Sequence, residues 1–246
     1  MNKFRGASSV TFDPWDGLVL VDKPQEYTSH DVVAKLRGRF RIKKVGHGGT
    51  LDPMATGLLV ILTGRGTKLS EQIMGGDKTY EGTMTLGTTT DTQDADGNVL
   101  EEKSADDITD EQILEQMKLR VGDIMQTPPM VSAIKKDGVP LYKLARKGKE
   151  IEREARLIHI YRFKMTGREG NTVHFEVKCT KGTYVRTLCY DIGEALGCGA
   201  HLSALRRTAS GNFDLKDAHT LDDLVALDTP EFFKRITPIS KIVSML

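Results

Sequence analysis

Residues 44–69 read KVGHGGTLDPMATGLLVILTGRGTKL, and the apolar run inside them decides the fold. Residues 57–62 are apolar on both faces and too few to span a membrane, which predicts a buried core strand. Asp52 stands just before this strand, and Pro53 fixes the chain direction after it. The glycines that allow positive φ in this turn are Gly46, Gly48 and Gly49. An acid on a tight loop beside a core strand is typical of a functional site, whereas an isolated Asp-Pro more often marks a plain turn.

This stretch is the first of several motifs along the chain. Residues 46–57 read GHGGTLDPMATG, and the later motifs are KTY at 78–80, LG at 86–87, TDTQDADG at 90–97, PPMVSAIK at 128–135 with Tyr142 and Ala145-Arg146 after it, KGTYVRTL at 181–188 and GAHLSALRR at 199–207. In this order they resemble the motifs of the TruB family of tRNA pseudouridine synthases, in which the Asp of G-x-L-D-P-x-A-T-G is catalytic. The resemblance spans roughly residues 17–213, far more than one short motif.

The order of predicted strands and helices indicates a mixed α/β (α+β) class around a largely antiparallel central sheet. The resemblance implies the pseudouridine synthase fold, with a catalytic cleft at the centre of that sheet and flanking helices. We expect one catalytic domain over residues 1–246, with a thumb-like insertion at about 127–156 that grips RNA. We expect no C-terminal domain of the RNA-binding PUA type.

Hydrophobic periodicity predicts the individual elements. Strands are expected at 18–21, 57–62, 79–86 and 173–179. Helices are expected after Thr28 or Ser29 with Val32, Val33, Leu36 and Phe40 on one face, at 67–74, after a capping box at 109–112, and from Thr183 with Val185, Leu188, Cys189, Ile192 and Leu196 as an apolar stripe. Residues 1–16 are expected to form a loosely held leader.

Composition is that of a soluble globular protein, with 28% charged and 39% hydrophobic residues. The three cysteines form no C-x-x-C pair, which argues for a reducing compartment and against disulfides or a zinc site. The six histidines are scattered, so we expect no metal. Since no signal peptide or long apolar run is visible, we expect a cytoplasmic protein that does not contact a membrane.

The net charge is only +1, but basic residues are concentrated in two segments of the chain. Residues 35–44 hold six basic residues and no acid, and residues 135–156 hold eight basic residues and four acids. Either run alone is about as well explained by a solvated surface. Two such runs flanking a glycine-rich acidic loop favour a polyanionic substrate.

The resemblance implies that the chain isomerises uridine to pseudouridine at position 55, in the T-loop of tRNA. This reaction breaks the N1–C1′ bond and forms a C5–C1′ bond to the same base, and it needs no metal, redox partner or other cofactor. Asp52 is the expected catalytic acid, base or nucleophile. Attack at C1′, addition to C6 and abstraction of the C2′ proton all remain open.

Arg186 lies near the N-terminus of the helix predicted from Thr183. A cation there opposes the helix dipole by up to about 1 kcal/mol, which indicates an acidic partner elsewhere in the fold. The resemblance implies that this partner is Asp52, and that Tyr80 stacks on the target base. The alternatives are a surface contact of Arg186 with phosphate and a core position for Tyr80.

The resemblance also implies five residues that bind or support the substrate. Asp94 and Tyr184 would support Arg186, Leu205 would form an apolar wall of the base pocket, Lys68 would lie near the site, and His47 would contact the RNA where the base is everted. An ordinary core leucine and a solvated lysine are the alternatives for Leu205 and Lys68. A lone histidine in a glycine-rich loop is more often structural than catalytic.

The implied partner is the T-arm stem-loop of tRNA, bound by a monomer. The main alternative is a non-catalytic RNA-binding or tRNA-folding protein that uses the same cleft. A nucleotide-binding enzyme is disfavoured, because residues 46–49 and 64–68 match neither G-x-x-x-x-G-K-[ST] nor G-x-G-x-x-G.

Overall fold

The computed structural model describes residues 13–132, 135–136, 139–140 and 151–245. Its strands are β1 Gly17–Lys23, β2 Val45–His47, β3 Thr56–Thr63, β4 Lys78–Leu86, β5 Thr88–Thr90, β6 Val99–Glu102, β7 Gly122–Gln126, β8 Lys135–Lys136, β9 Val139–Pro140, β10 Arg156–Glu169, β11 Thr172–Cys179, β12 Ala200–Ser210, β13 Phe213–Asp214, β14 His219–Thr220 and β15 Thr237–Pro238. Its α-helices are α1 Ser29–Phe40, α2 Ser70–Gly75, α3 Asp110–Lys118, α4 Val185–Leu196, α5 Leu221–Ala226, α6 Thr229–Phe233 and α7 Ile239–Val243, and 3-10 helices cover Gly64–Leu69 and Leu215–Asp217.

One large sheet organises the described residues. Its strand order is β14-β1-β3-β12-β4-β11-β10-β7, and β2, β13 and β15 pair with β3, β12 and β1. Neighbouring strands are antiparallel except for the pairs β1–β14 and β3–β12, which are parallel. The predicted mixed α/β class with a largely antiparallel sheet is therefore confirmed. None of the helices in the described part of the chain is long and apolar enough to cross a bilayer.

Strand β3 is buried on both faces, as the apolar run predicts. Leu59 and Ile61 point into the larger hydrophobic core, and Leu58, Val60 and Leu62 point into a second core on the other face. Because successive side chains of a strand alternate between faces, a continuous apolar run serves both cores. The loop that carries Asp52 is thus attached to the best-buried strand of the protein.

Helix α1 forms as predicted. Thr28 and Asp31 make a reciprocal capping box at its start, and its four predicted apolar residues are buried. Two of its basic residues also form contacts within the protein. Lys35 donates to the Tyr27 hydroxyl at 3.0 Å, and exposed Arg39 donates to main-chain carbonyls at the end of α5.

Three local predictions are corrected. Helix α4 begins at Val185 instead of Thr183, because the Thr183 hydroxyl donates to the Thr180 carbonyl and does not cap the helix. The segment 67–74 is a 3-10 helix followed by α2. Of the three glycines before Asp52, only Gly49 has positive φ, at 135°.

The leader and the thumb fall largely outside the described residues. Of the leader 1–16, the described end is firmly held: Trp15 packs against Phe233 with ring centroids 4.5 Å apart, and Asp16 accepts a hydrogen bond from the Arg65 amide. Most of the predicted thumb at 127–156 and of the basic run 135–156 also lies outside, so both stay predictions.

Lys78, at the start of β4, is a buried amine whose titration gives a stability prediction. Its Nζ donates to the carbonyls of Met74 and Gly76, and burial lowers its pKa to about 8 from an ordinary 10.5. Between these pH values the unfolded chain binds more protons at this site than the folded chain, so the Lys78 contribution to stability rises with pH. We expect the free energy of unfolding of Lys78→Met to rise less with pH than that of wild type. Urea unfolding of both proteins at pH 7.5 and 9.5 measures this, and an unchanged pH dependence would contradict it.

Candidate active site

Asp52 lies on the loop between β2 and β3, beside the N-terminus of α1. The side chain of Ser29, the first residue of α1, accepts a hydrogen bond from the Leu51 amide at 2.8 Å and donates to the Leu51 carbonyl at 3.2 Å. The Asp52 carbonyl accepts from the Ala55 amide at 3.1 Å. The Asp52 side chain remains 43% exposed. The loop backbone is therefore fixed while its carboxylate stays accessible to a ligand.

Arg186 joins Asp52 to a second carboxylate. Its guanidinium lies 3.6 Å from Asp52 Oδ2 and 2.9 Å from Asp94 Oδ2. Both Arg186 and Asp94 are buried, and Asp94 Oδ1 also accepts from the Thr92 hydroxyl and the Asp96 amide. The helix-dipole argument predicts an acidic partner for Arg186, and the structure gives it two. Asp94 anchors the arginine, and the arginine points its second nitrogen at Asp52.

Further contacts fix Arg186 from the other side. Its guanidinium donates to the carbonyls of Thr92 and Val131, and Val131 stands at the start of the predicted thumb. The ring of Tyr184 lies 5.9 Å from the guanidinium carbon. The Tyr184 main chain is held by the Gln126 side chain, at 2.8 and 3.0 Å. Tyr184 and Asp94 thus stand beside Arg186, as the resemblance implies.

Tyr80 lies on β4, inside the larger core. Its strand neighbours are Val177 and Arg207. Burial raises the pKa of Tyr80, and the charge of Asp52 adds to the rise while that of Arg207 opposes it. The phenol is therefore neutral at physiological pH. Tyr80 is therefore a core residue within electrostatic range of Asp52, and its stacking on the target base stays a prediction.

Leu205 borders a groove next to the Asp52 loop. It lies on β12 opposite Gly82, and its carbonyl accepts from the Thr56 hydroxyl at 3.5 Å. Together with Met54 and other residues it lines a groove of about 630 Å³. Leu205 is half-buried and packs against the larger core. Leu205 therefore packs as a core residue and also lines the groove.

His47 belongs to the strand that leads into the Asp52 loop. His47 lies on β2 opposite Ile61, and its buried Nδ1 has no hydrogen-bond partner among the described residues. Burial, followed by the charges of Arg207 and His30, lowers the pKa of His47, which is therefore neutral at pH 7.

Lys68 is not brought to Asp52. It is exposed on the 3-10 helix after β3, beside Asp16 and Pro238. The eight residues of β3 separate it from the Asp52 end by about 25 Å at the usual strand rise. The prediction that Lys68 lies near the site is therefore wrong, and the alternative, a solvated lysine, agrees with the structure.

Two buried cations that the sequence reasoning did not assign hold the loop. Lys23 is fully buried, and its Nζ donates to the carbonyls of Pro24, Tyr27 and Pro53. Burial lowers its pKa to about 8, while the charge of Asp52 works in the opposite direction. Lys23 therefore ties down the residue that follows Asp52. A lysine inside an apolar strand followed by proline is the signal that could have revealed it.

Arg207 holds the other side of the loop. Its guanidinium donates to the carbonyls of Leu58 at 2.7 Å, Gly49 at 3.2 Å and Thr50 at 3.3 Å. Only 1% of the residue is exposed. Its place in the motif at 199–207 was visible in the sequence, but nothing there distinguished it from the half-exposed Arg206. Across the described part of the chain, no group of three His, Cys, Asp or Glu side chains is arranged to hold a metal ion.

Two family models cover most of the chain. One is described as TruB family pseudouridylate synthase (N terminal domain) and matches residues 37–185. The other is described as tRNA pseudouridylate synthase B C-terminal domain and matches residues 186–244. A protein of Opitutus terrae named tRNA pseudouridine synthase B is 54% identical over 91% of this chain and 93% of its own. A protein of the same name from Syntrophotalea carbinolica is 47% identical over 90% of this chain and 73% of its own.

Two solved structures are similar to this chain over nearly its whole length. A chain in the crystal structure of a Cbf5-Nop10-Gar1 complex superposes with a TM-score of 0.74 at 32% identity, covering 95% of this chain and 63% of that one. A chain in the structure of an H/ACA RNP bound to a substrate RNA containing 2′-deoxyuridine gives 0.70 at 29% identity, with 95% and 62% covered. This chain thus spans somewhat less than two thirds of each of those chains.

Proposed function

The chain belongs to the TruB family of pseudouridylate synthases, and we propose that its substrate is the uridine at position 55 in the T-loop of tRNA. It is an isomerase that acts on RNA, like its relatives named tRNA pseudouridine synthase B. The observation that carries the proposal is the half-exposed carboxylate of Asp52, aimed by buried Arg186, which Asp94 anchors. This group stands on a fixed loop where a base can reach it.

Asp52 is the residue we assign to the chemistry. The glycosidic N1–C1′ bond breaks, the base turns, C5 bonds to C1′, and the proton on C5 leaves while N1, which carried none in uridine, gains one. A carboxylate can serve this sequence as base, acid or nucleophile. Arg186 restricts the direction of the carboxylate, and positioning of this kind supplies a large part of many enzymatic rate enhancements. Stacking on the base is assigned to the neutral phenol of Tyr80.

His47 is assigned to substrate binding. A uridine inside a folded loop must be flipped out before it can react, at a cost of a few kcal/mol. A neutral imidazole can stack in the vacated space and offset part of that cost. The lowered pKa of His47 and its unpartnered Nδ1 fit such a role, because the ring can both stack and form one new hydrogen bond.

Phosphate contacts are assigned to the basic residues of 35–44 whose side chains form no hydrogen bond or ion pair with another residue that the structure describes. Lys35 and Arg39 are engaged within the protein. The exposed remainder are Arg37, Arg41, Lys43 and Lys44. Their position just before β2 and the Asp52 loop places positive charge on the approach to the site.

The double variant Lys43→Glu/Lys44→Glu should therefore bind the RNA less tightly and with a weaker salt dependence. Each lost phosphate contact lowers the slope of log K against log salt by about 0.7–0.9. Fluorescence anisotropy with a labelled T-arm stem-loop at several salt concentrations measures the slope. Lys118→Glu is the matched control, because Lys118 is an exposed lysine on α3. An unchanged slope in the double variant would refute the assignment.

The substrate proposal is tested by mapping the product. An unmodified tRNA transcript is incubated with the protein, and pseudouridine is located by carbodiimide labelling and primer extension. We expect one new stop, at the uridine of position 55, and none in a transcript with cytidine at that position. Modification at another uridine, or none in a transcript that the protein binds, would overturn the proposal.

A further inference from the structure

We infer that Arg207 is a positioning residue that sets the place of Asp52 by clamping both ends of its loop. The inference rests on the proposed function, because it concerns the group that does the chemistry there. Gly49 and Thr50 precede Asp52, and Leu58 follows it on β3. The guanidinium of Arg207 bonds all three carbonyls, so the ends of the segment 50–58 are joined through one rigid, planar group.

The bonding of Arg207 is unusual for a buried arginine. A buried guanidinium is normally paired with a carboxylate, because an unpaired charge is costly to remove from water. Among the described residues Arg207 forms no ion pair, and its charge is met by three carbonyl dipoles and by a hydrogen bond with the neutral side chain of Tyr80. An apolar residue would fill the same volume without that cost. The arginine is therefore suited to holding these three carbonyls in place.

The strand that carries Arg207 is itself fixed against β3. At Gly57, which has a φ of 97°, an added Cβ would lie 2.4 Å from the Arg207 carbonyl oxygen and 2.8 Å from its amide nitrogen. The two main chains therefore touch at this point, and Arg207 starts from a defined position. Tyr80 is its cross-strand neighbour on β4. The same side chain thus relates the Asp52 loop to the strand that presents Tyr80.

Lys23 completes the arrangement on the far side of Asp52. It bonds the Pro53 carbonyl, whereas Arg207 bonds those of Gly49 and Thr50. A lysine at position 207 would keep the positive charge but could not fork to three carbonyls. If the bonds to these three carbonyls are what position Asp52, a lysine will not restore the wild-type rate although it keeps the charge.

The test compares Arg207→Lys and Arg207→Met with Arg168→Lys. Arg168 is the control because it also donates to main-chain carbonyls, of Gly170 and Ile108, but on β10. Single-turnover rates are measured with saturating T-arm RNA, and Kd is measured separately. We expect both Arg207 variants to lose about 10²-fold in rate, as small displacements of a reacting group do, with Kd changed less than about threefold. Arg168→Lys should keep the wild-type rate.

A second readout does not depend on activity. Hydrogen exchange of the free proteins, followed by mass spectrometry, should show faster exchange of peptides covering 48–55 in both Arg207 variants and not in Arg168→Lys. If wild type is inactive on the T arm but this exchange pattern appears, the substrate proposal fails and the clamp stands. A rate within about threefold of wild type, a loss explained by Kd alone, unchanged exchange, or failure of both variants to fold would each overturn the inference.

Discussion

Asp52→Asn should abolish turnover while leaving the fold and RNA binding intact. The substitution keeps the size of the side chain but removes its ability to act as base or nucleophile, so we expect a loss of about 10⁴-fold or more in single-turnover rate. The carboxylate is 43% exposed and 3.6 Å from Arg186, so the stability change should stay below about 1 kcal/mol. Thermal unfolding and RNA Kd are measured beside the rate.

The control for this variant is Asp222→Asn. Asp222 forms an ion pair with Lys35 at the same 3.6 Å separation, but on helix α5, where the Asp222 side chain is exposed. If only the loss of an ion pair mattered, the two variants would behave alike. A rate for Asp52→Asn within about tenfold of wild type would remove Asp52 from the chemistry and leave its exposed carboxylate without a role.

Arg186→Lys should have the second largest effect, on both rate and stability. A lysine keeps the charge but cannot reach Asp94, Asp52 and the Val131 carbonyl at once. We expect the single-turnover rate to fall by about 10²–10³-fold, because the orientation of the Asp52 carboxylate is no longer fixed. We also expect a loss of about 1–3 kcal/mol in the free energy of unfolding, because Asp94 is buried and loses part of its bonding.

A double-mutant cycle separates these effects. Asp94→Asn and Arg186→Lys remove opposite ends of the same 2.9 Å bond, so their effects on unfolding should be non-additive by about 0.5–3 kcal/mol. Asp110→Asn is the control partner, because Asp110, the first residue of α3, pairs with Arg168 of β10 at 2.9 Å, away from this site. Additive effects of Asp94→Asn and Arg186→Lys, or a change in KM with kcat unaltered, would contradict the assigned role of Arg186.

The fold was predictable where one local signal dominates. The apolar run of β3, the capped amphipathic helix α1 and the alternation of β4 all formed as expected. The long strands β10 and β12 were not predicted. Bulges near Arg162 in β10 and Ala204 in β12 shift the register within each strand, which breaks the period of two that sequence reasoning relies on.

The site was predictable only in part. That Arg186 has an acidic partner could be anticipated because a cation near a helix N-terminus is locally unfavourable, but which acid it is came only from the family resemblance. The role of Arg207 could not, since it bonds main-chain carbonyls of the loop, which carry no residue identity. Lys68 was misplaced because its position was taken from the resemblance alone, although the predicted strand at 57–62 separates it from Asp52.

The most direct test of the account is tritium release from a T-arm stem-loop labelled at C5 of its uridines, since formation of the C5–C1′ bond expels that hydrogen. We predict that wild type releases the label of one uridine per RNA, and that Asp52→Asn binds the same RNA and releases none. If wild type binds the stem-loop and releases no label, the enzymatic account of this site is contradicted and the RNA-binding or tRNA-folding alternative takes its place.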